Sequence, residues 1–511
     1  MLRKHRQAAW GATVAAGLAL GAVAVPSTPG SAEAAPDPAS GRTSMSVGAR
    51  GPIAWTACGP DRKAECATLR LPVDWAHPEG ETFGLAIARR KALDRKARVG
   101  TLVFGPGGPG DSGVKRVTEL KGGIDRFSDR LRQRFDIVSF DPRGVGESNP
   151  VTCSAALLDA RPSPVITSAA EFDATLAYNA RLRDDCRART GPVYDHADTL
   201  STVRDVDAIR AALGEPKLTF HGSSYGTLLG QMYAETYPRR IRAMVLESVT
   251  DHSVRRTGRF LDTEIGAAQD SFEQFAAWCD RTASCALHGR DVHAVWSDLR
   301  ARAARGELAD PSAPGAAIPE FGLVLMAYKA FYDPDWAGLA QKLAALAASK
   351  PLKRTSSRTA PVTPTPPAEV TGKDNFTAQF CSDWSLPVRN YAEFAAHMRR
   401  LERIAPDMAH ARPLMAVSVC LGWPRPVRNP QHRLDVRGSA PILLANSVHD
   451  PATPYVWARS VARQLGRTGT LLTYAGAGHG SYNSGSCMRD TIDAYLISLE
   501  VPARGTTCPA T

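Results

Sequence analysis

The stretch that decides the fold runs from residue 218 to residue 227 and has the sequence LTFHGSSYGT. Its apolar start ends at Gly222, and the small residues Ser224 and Gly226 then lead into a second apolar run, LLGQMYAETYP. A short apolar run, then glycine, then a longer amphipathic segment is typical of a strand that turns sharply into a helix. The G-x-S-x-G pattern alone leaves two interpretations open, because a serine in such a turn is either an ordinary surface residue or a nucleophile held at the turn.

Other short apolar runs with glycine or proline at their ends recur on both sides of this stretch. They are ATLRLPVDW, TFGLAIARRKA, GTLVFGPGGPG, FDIVSFDPRG, KLTFHGSSYG itself, IRAMVLESV, PILLANSVHD and GTLLTYAGAGHG. Runs without polar alternation are typical of strands that are buried on both faces of a parallel sheet. Helical patterns such as TLSTVRDVDAIRAALG lie between some of these runs. The alternation predicts an α/β fold built on a mostly parallel, doubly wound sheet.

The alternation of strands and helices stops after Val249 and resumes near residue 436. The intervening sequence has helical patterns such as AAQDSFEQFAAWCD and DWAGLAQKLAALAAS, and it contains a segment rich in proline, threonine and lysine at 349–374. We therefore expect one sheet domain, formed by 35–250 and 436–511, which is interrupted at 251–435 by a large, mostly helical cap insertion. The segment at 349–374 has the composition of a loop.

The first 34 residues have the pattern of a secretory signal peptide. Arg3, Lys4 and Arg6 precede the apolar run AAWGATVAAGLALGAVAV, and an Ala-x-Ala site follows at Ala32. The run is long enough that a retained membrane anchor is the alternative. We expect removal of this segment, secretion of the mature chain and no stable insertion into the membrane.

Composition excludes several classes of function. The formal net charge is +11, but the basic residues are spread along the chain without interleaved aromatic residues, which argues against nucleic-acid binding. The chain has 10 cysteines, an even number that predicts disulfides in an exported protein, and pairing in sequential order is the simplest arrangement. Free buried thiols are the alternative. Since the cysteines and histidines lack the spacing of a zinc site, we expect no metal and no cofactor.

Three side chains follow predicted strands in an order that indicates chemistry. Ser224 follows the LTFHG run, Asp450 follows the PILLANS run and His479 follows the GTLLTY run. The carboxyl ends of parallel strands meet at one edge of an open sheet. The order serine, aspartate, histidine along the chain is that of an α/β-hydrolase triad. Taken alone, HDPATP is an ordinary turn and GPGGPG an ordinary loop, so the hypothesis depends on their combination.

Each group has a role that acyl transfer requires. The hydroxyl of Ser224 is a poor nucleophile until a base takes its proton, and His479 is the candidate base. Asp450 would fix the tautomer of that histidine and stabilise its protonated form. The backbone N–H groups of Tyr225 and of Gly108, in the GPGGPG loop, are the candidates for an oxyanion hole, in which one donor is typically worth about 2.7–4 kcal/mol.

Two further charged residues lie in the turn DPRGVGES, after the FDIVSF run. Asp141 and Arg143 are candidates for a reactive pair, but we expect them to form an ion pair that braces this loop. His77, His196, His221 and His252 are assigned structural roles.

The motifs GPGGPG, SFDPRGVGES, GSSYGT, NSVHDPATP and GAGHG together resemble the exported actinobacterial tripeptidyl aminopeptidases, which are α/β-hydrolases of the prolyl-aminopeptidase-like serine peptidase group. The resemblance extends from about residue 51 to the C-terminus and is weakest across the insertion. It implies release of short peptides from free N-termini without a cofactor. By position it makes Ser224 the nucleophile, Asp450 the acid and His479 the base, with Gly108 and Tyr225 in the oxyanion hole.

An aminopeptidase also needs an acid that binds the ammonium group of its substrate. Asp383, in FCSDW, is similar to a Cys-x-Asp element of this family. Glu247, in VLESV, ends a predicted strand near the site, although relatives more often have Asp-Gly there. We expect one of these two residues to bind the amine, and a purely structural role is the alternative for each.

Two enzymatic hypotheses follow from these residues, together with one that is not enzymatic. The first is a secreted serine exopeptidase whose partners are peptides with a free N-terminus, and which acts as a monomer. The second is a secreted carboxylesterase that uses the same triad on small acyl esters. A non-catalytic binding protein is the third, and the presence of every triad residue argues against it.

Overall fold

The computed structural model describes residues 52–313, 315–352 and 370–511. The predicted signal peptide at 1–34 lies outside the described residues, as does most of the proline-rich segment 349–374. Of the helices in the described ranges, none is both long and apolar enough to cross a membrane.

A 10-stranded sheet forms the centre of the protein, and two further strands form a small separate sheet. The strands are β1 (Thr56–Cys58), β2 (Ala64–Pro72), β3 (Thr82–Arg90), β4 (Gly100–Gly105), β5 (Phe135–Phe140), β6 (Thr152–Ser154), β7 (Leu218–Ser223), β8 (Ile241–Glu247), β9 (Thr371–Lys373), β10 (Ile442–His449), β11 (Gly469–Ala477) and β12 (Thr507–Cys508).

Helices connect most of these strands. They are α1 (Gly113–Thr118), α2 (Asp129–Arg134), α3 (Ala155–Asp159), α4 (Ala169–Thr190), α5 (Thr199–Ala212), α6 (Tyr225–Thr236), α7 (Thr257–Arg281), α8 (Val292–Ala304), α9 (Glu320–Ala330), α10 (Trp336–Ala348), α11 (Thr377–Asp383), α12 (Tyr391–Ile404), α13 (Arg412–Val419), α14 (Tyr455–Leu465) and α15 (Ser486–Ser498).

The order of the strands confirms the predicted fold class. Across the large sheet the order is β1-β2-β3-β5-β4-β7-β8-β10-β11-β12. In this order, every neighbouring pair from β5 through to β12 is parallel. Strands β1, β2 and β3 pair antiparallel with one another, and β3 also pairs antiparallel with β5, so they form an antiparallel edge of the sheet. This mixed, mostly parallel sheet is the α/β-hydrolase fold.

The sheet is buried on both faces because helices cover each of them. On β4, Val103 packs into a cluster with residues of α5, α6 and α14, while Leu102 packs into a cluster with residues of α1, α2 and α15. Successive residues of a strand point to opposite faces, so a strand between two helical layers is buried along its whole length and is mostly apolar. The mostly apolar runs of the sequence, which lack polar alternation, have this physical cause.

Helices α7 to α13 lie between β8 and β10, within the interval where the sequence predicts a helical insertion. Part of this region has a core of its own, in which Phe272, Trp296 and Leu343 are almost completely buried. The interval also contains β9, which pairs with β6 of the preceding region through Thr152–Lys373 and Ser154–Thr371.

All five cysteine pairs that the sequential arrangement predicts are present as disulfides. They are Cys58–Cys66, Cys153–Cys186, Cys279–Cys285, Cys381–Cys420 and Cys487–Cys508. Such bonds form and persist in oxidising compartments outside the cytoplasm.

The prediction that Asp141 and Arg143 form an ion pair with each other is wrong. Arg143 pairs instead with Asp205 of α5, at 2.6 Å, and both side chains are completely buried. Asp141 accepts hydrogen bonds from the Ser112 hydroxyl and from the Glu147 N–H at 2.9 Å. Proximity in the sequence suggested Asp141 as the partner of Arg143. The Arg143 guanidinium instead reaches a helix that begins more than fifty residues later in the chain.

Candidate active site

Ser224 occupies a strained turn between β7 and α6. Its backbone has φ of +56° and ψ of −121°, a conformation that residues with a side chain adopt at a cost of about 1–3 kcal/mol. Neighbouring groups hold the turn in place, since the Ser224 N–H donates to the Glu247 carbonyl at 2.8 Å and Thr227 Oγ1 donates to the Ser224 carbonyl at 2.7 Å. This strain is typical of a nucleophile that is held away from the sheet surface.

The two glycines that flank the serine permit close packing of the turn. A Cβ atom on Gly226 would collide with the backbone oxygen of Gly105, at the end of β4, and a Cβ atom on Gly222 would collide with the backbone oxygen of Gly226. Helix α6 therefore begins directly against the neighbouring strand. No larger residue fits either position without movement of the backbone.

His479 and Asp450 are in direct contact, as the sequence predicts for two triad members. The Nδ1 of His479 lies 2.9 Å from Oδ1 and 3.1 Å from Oδ2 of Asp450. Asp450 is buried and also accepts hydrogen bonds from the N–H groups of Ala452 and Thr453, each at 2.9 Å. This carboxylate can accept only, so the proton lies on Nδ1 and Nε2 is left as an acceptor for another proton.

Ser224 and His479 line the same cavity, which has a volume of about 970 Å³. Gly108 and Glu247 are also on its wall. Within the described ranges, the Ser224 hydroxyl and the His479 Nε2 are not hydrogen-bonded to each other. Such contacts are often long without substrate and tighten when it binds.

The glycine-rich loop after β4 packs directly against the turn at Ser224. A Cβ atom on Gly107 would lie 3.0 Å from the Ser224 Cβ, and Gly108 has φ of +102°, a value that favours glycine. Tyr225 is the first residue of α6, so its N–H is one of the unpaired donors at a helix N-terminus. Both predicted oxyanion-hole residues thus lie beside Ser224.

Glu247 lies at the end of β8, buried beneath the turn. Its Oε2 is 2.9 Å from His221 Nε2, and its Oε1 accepts a hydrogen bond from the Tyr482 N–H. Burial raises the pKa of this carboxyl, but the hydrogen bond and charge of His221 outweigh that effect and leave the pKa below its usual value. Glu247 is therefore a carboxylate that hydrogen bonds fix at the wall of the cavity. Its predicted contact with the substrate amine stays a prediction.

Asp383 has a different environment, which does not fit the predicted contact with substrate. It is completely buried and, unlike Glu247, is not on the wall of the cavity that contains Ser224. Its carboxylate accepts from the Tyr225 hydroxyl at 2.6 Å, from Thr199 through both N–H and hydroxyl, and from Asn429. With these donors in place a substrate ammonium has no access, and the carboxylate instead holds the ring of the residue after Ser224.

A second, smaller pocket of about 60 Å³ also reaches Ser224, and no pattern in the sequence predicts it. Its wall includes two charged residues, Glu264 of α7 and Arg412 of α13, and sequence reasoning missed both of them. Glu264 lies in an ordinary amphipathic helical pattern, in which an acidic residue normally faces water. Only the packing of α7 against distant segments brings it to the site.

A group of possible metal ligands lies elsewhere in the described residues, on the insertion. Glu273, His293 and Asp407 have ligand atoms within 4.8 Å of one another, but none of them lines the cavity that contains Ser224. His293 Nδ1 is 3.1 Å from Asp407, and Gln269 donates to both carboxylates. These contacts account for the cluster without an ion.

Comparison with known proteins finds similar chains along most of the length of this one. A family model described as "TAP-like protein" matches residues 406–508. The chain is 31% identical to the serine protease Hip1 of Mycobacterium tuberculosis, over 89% of this chain and 91% of that protein. It is 30% identical to a tripeptidyl aminopeptidase of Streptomyces lividans, over 90% and 87% of the two chains, and 30% identical to carboxylesterase B of Mycobacterium tuberculosis, over 96% of each.

Fold, site and similarity together define a serine hydrolase. Within that class, the chain belongs to the family of the tripeptidyl aminopeptidases and Hip1 serine proteases, as the sequence motifs predicted.

Proposed function

We propose that this protein is a secreted serine exopeptidase that releases short peptides, tripeptides in particular, from free N-termini through an acyl-enzyme on Ser224. One observation carries the proposal: the strained Ser224 and a histidine oriented by Asp450 share a single large cavity. The name of the Streptomyces relative, tripeptidyl aminopeptidase, supports the substrate class. Five disulfides and the pattern of residues 1–34 support export.

In the first half-reaction the Ser224 oxygen attacks the scissile carbonyl carbon while His479 Nε2 takes the hydroxyl proton. Asp450 stabilises the imidazolium that forms, because its carboxylate already faces Nδ1. The N–H groups of Tyr225 and Gly108 donate to the oxyanion. When the carbon–nitrogen bond breaks, the imidazolium gives its proton to the departing amine, and the acyl group remains as an ester of Ser224.

In the second half-reaction a water molecule attacks that ester and His479 takes its proton. The carbon–oxygen bond to Ser224 breaks, the serine oxygen recovers a proton from the imidazolium, and the peptide leaves with a new carboxylate. The volume of about 970 Å³ lies at the upper end of the range of ligand sites and accommodates a peptide segment on the cavity side of Ser224.

A carboxylesterase is the second candidate function. The similarity to carboxylesterase B, over 96% of both chains, is the observation that favours it. The same nucleophile and base hydrolyse an ester, since an alcohol replaces the amine as leaving group. The groups that bind the acyl part must therefore decide between the two functions.

A comparison of three substrates tests the proposal. The purified mature enzyme is assayed with Ala-Ala-Pro p-nitroanilide, with the N-acetylated form of the same tripeptide and with p-nitrophenyl butyrate, and Ser224→Ala is the control for contaminating activity. We expect the free tripeptide to have a much higher kcat/KM than the capped one, because acetylation removes the ammonium charge. Equal kcat/KM values, or ester turnover without peptide cleavage, would contradict the exopeptidase.

A further inference from the structure

Exposed arginines from three distant parts of the chain line two adjoining clefts. The first cleft, of about 550 Å³, has five arginines on its wall, at the start of α7 and along α14: Arg255, Arg256, Arg259, Arg459 and Arg463. The second cleft, of about 430 Å³, shares Arg459 and Arg463 with the first and adds Arg467 and Arg504. Because the clefts share two residues, they form one continuous surface, which we call the arginine groove.

The sequence of α14 explains why part of this groove is a row of charges. Arg459 and Arg463 are four residues apart, so they lie on the same face of the helix, about 6 Å apart along its axis. Arg467 continues this spacing just after the helix ends at Leu465. The opposite face of α14 is buried against the core, and all seven arginines of the groove are exposed. The guanidinium groups are therefore available to a ligand from outside.

The groove has almost no negative charge of its own. In the described part of the chain, no salt bridge joins any of its seven arginines to a carboxylate. The one acidic residue on the two walls is Asp251, which is buried and accepts hydrogen bonds from the Ser253 hydroxyl at 2.6 Å and from Gln464 at 3.1 Å. Arg400, by contrast, pairs at 2.7 Å with Asp262, which lies further along α7. The positive charge of the groove is therefore uncompensated among the described residues.

These charges indicate an anionic ligand with several negative groups. A cleft that is lined by charges of one sign concentrates the electric field and raises the local concentration of oppositely charged molecules. Guanidinium groups stay charged at every physiological pH and donate paired hydrogen bonds to phosphate and carboxylate oxygens. A single small anion would neutralise only one or two of the seven arginines. A chain with repeated negative charges can neutralise most of them.

A linear phosphate polymer fits the groove better than other polyanions do. Successive side chains of an extended polypeptide point to opposite sides, so only every second carboxylate of an acidic peptide can face the groove. Each phosphate exposes charged oxygens around its chain, so every repeat can contact an arginine.

Nucleic acids and membranes fit the walls less well. Stacking of bases needs exposed aromatic faces, but Trp457 is buried and Tyr455 is half-buried. Insertion into a bilayer needs an exposed apolar face, and on the described walls Val456 is the one large apolar side chain that is exposed. A concave groove also matches a chain better than it matches a flat bilayer.

We propose that the arginine groove binds a linear polymer that has repeating phosphate groups and no bases, and that this contact holds the protein on such a polymer. Two sources have this chemistry: inorganic polyphosphate, and a polymer of polyol phosphates. None of the seven arginines is on the wall of the cavity that contains Ser224, so the groove is a separate site and the proposal does not depend on the exopeptidase function.

The test measures binding to five probes over a range of salt concentrations. The probes are inorganic polyphosphate, poly(glycerol phosphate), polyglutamate, oligothymidylate and vesicles of phosphatidylglycerol, matched in total charge. One triple variant, Arg259→Gln with Arg459→Gln and Arg463→Gln, removes three charges from the groove.

A second triple variant is the matched control. Arg70→Gln with Arg181→Gln and Arg290→Gln removes the same charge from exposed arginines that line neither cleft and that form no salt bridge with another described residue. Because all six substituted side chains are exposed, both variants should keep the melting temperature of the wild type.

We expect the wild type to bind a phosphate polymer with a slope of log K against log salt of about −3.5 to −5, because each phosphate contact releases about 0.7 counterions from a single chain. The groove variant should bind about 10-fold or more weakly at low salt, with a slope that is smaller by about 2, and the control should behave as the wild type. The polymer that binds more tightly identifies the source.

Three results would overturn the proposal. They are the absence of binding to both phosphate polymers, equal losses in the groove variant and the control, and tighter binding of polyglutamate, oligothymidylate or vesicles than of either phosphate polymer. The last result would assign the groove to a different class of partner.

The wild-type protein gives a second measurement that does not depend on folding of a variant. Unlabelled polymer should displace a fluorescent phosphate polymer at a far lower total phosphate concentration than orthophosphate does, because only the polymer occupies several arginines at once. Equal displacement by the two compounds would contradict a groove that binds a chain.

Discussion

Asp383 offers a change of stability with pH that can be worked out from the structure. Burial, together with the nearby Asp198 charge, raises the pKa of this carboxyl to about 7, although hydrogen bonds from Thr199 and Tyr225 act in the opposite direction. Asp383→Asn keeps the shape of the side chain and removes the titrating proton. The hydroxyl groups of Thr199 and Tyr225 can rotate to accept from the new amide, so the variant should fold.

The sign and size of the effect follow from the two pKa values. The folded protein holds a proton on Asp383 at pH values at which the unfolded chain, with an ordinary pKa of 3.8, has lost it. The stability that this proton contributes is fully present below the unfolded pKa and is lost as the pH rises through about 7. From pH 5 to pH 8 the loss corresponds to about two pKa units, or about 2–3 kcal/mol.

Urea unfolding with the disulfides intact measures this loss. The free energy of unfolding is determined at pH 5 and pH 8 for wild type, for Asp383→Asn and for the control Asp129→Asn, whose side chain is 81% exposed. From pH 5 to pH 8 the wild type should lose about 2–3 kcal/mol more than Asp383→Asn, and the control should behave as the wild type. Parallel pH profiles for wild type and Asp383→Asn would refute the reasoning.

Three other predictions follow from single sites in the structure. Gly226→Ala should destabilise the protein by about 1–3 kcal/mol or more, because the new Cβ atom would collide with backbone atoms. Gly266→Ala should stabilise the protein by about 0.5–1 kcal/mol, because this position on α7 faces open space. Equal melting temperatures for the two variants would contradict this. Arg143→Met should lower the free energy of unfolding by about 3–5 kcal/mol through the unpaired Asp205, and a double variant with Asp205→Leu should recover most of it in urea titrations. His479→Ala should reduce kcat by about 10⁴-fold or more with an unchanged circular dichroism spectrum, and residual activity near the wild-type level would exclude it as the base.

The central strands could be predicted from the sequence because their cause is local. A strand between two helical layers is buried along its whole length, so β4, β5, β7, β8, β10 and β11 are visible as mostly apolar runs without polar alternation. Strands β1, β6, β9 and β12 have two or three residues each and were missed. Their conformation comes from pairing with other segments, as β6 pairs with β9 over two hundred residues away, and nothing in so short a stretch encodes the partner.

The residues of the candidate site also differ in how far the sequence could predict their position. Ser224, Asp450 and His479 follow strands of the sheet, so chain order and glycine punctuation were enough to place them at one edge. Glu264 and Asp383 belong to helices of the interval between β8 and β10, where the direction of a side chain depends on packing between segments. The sequence therefore indicated the chemistry of the nucleophile but not which acid faces the pocket.

Covalent labelling of Ser224 tests the central claim most directly. A fluorophosphonate reacts with an activated serine hydroxyl, and mass spectrometry of the digested protein then locates the added mass. We predict one adduct per chain, on the peptide that contains Ser224, with loss of hydrolysis in proportion to labelling and no adduct in Ser224→Ala or after denaturation. Labelling at another residue, or hydrolysis that persists in the fully labelled enzyme, would contradict the account.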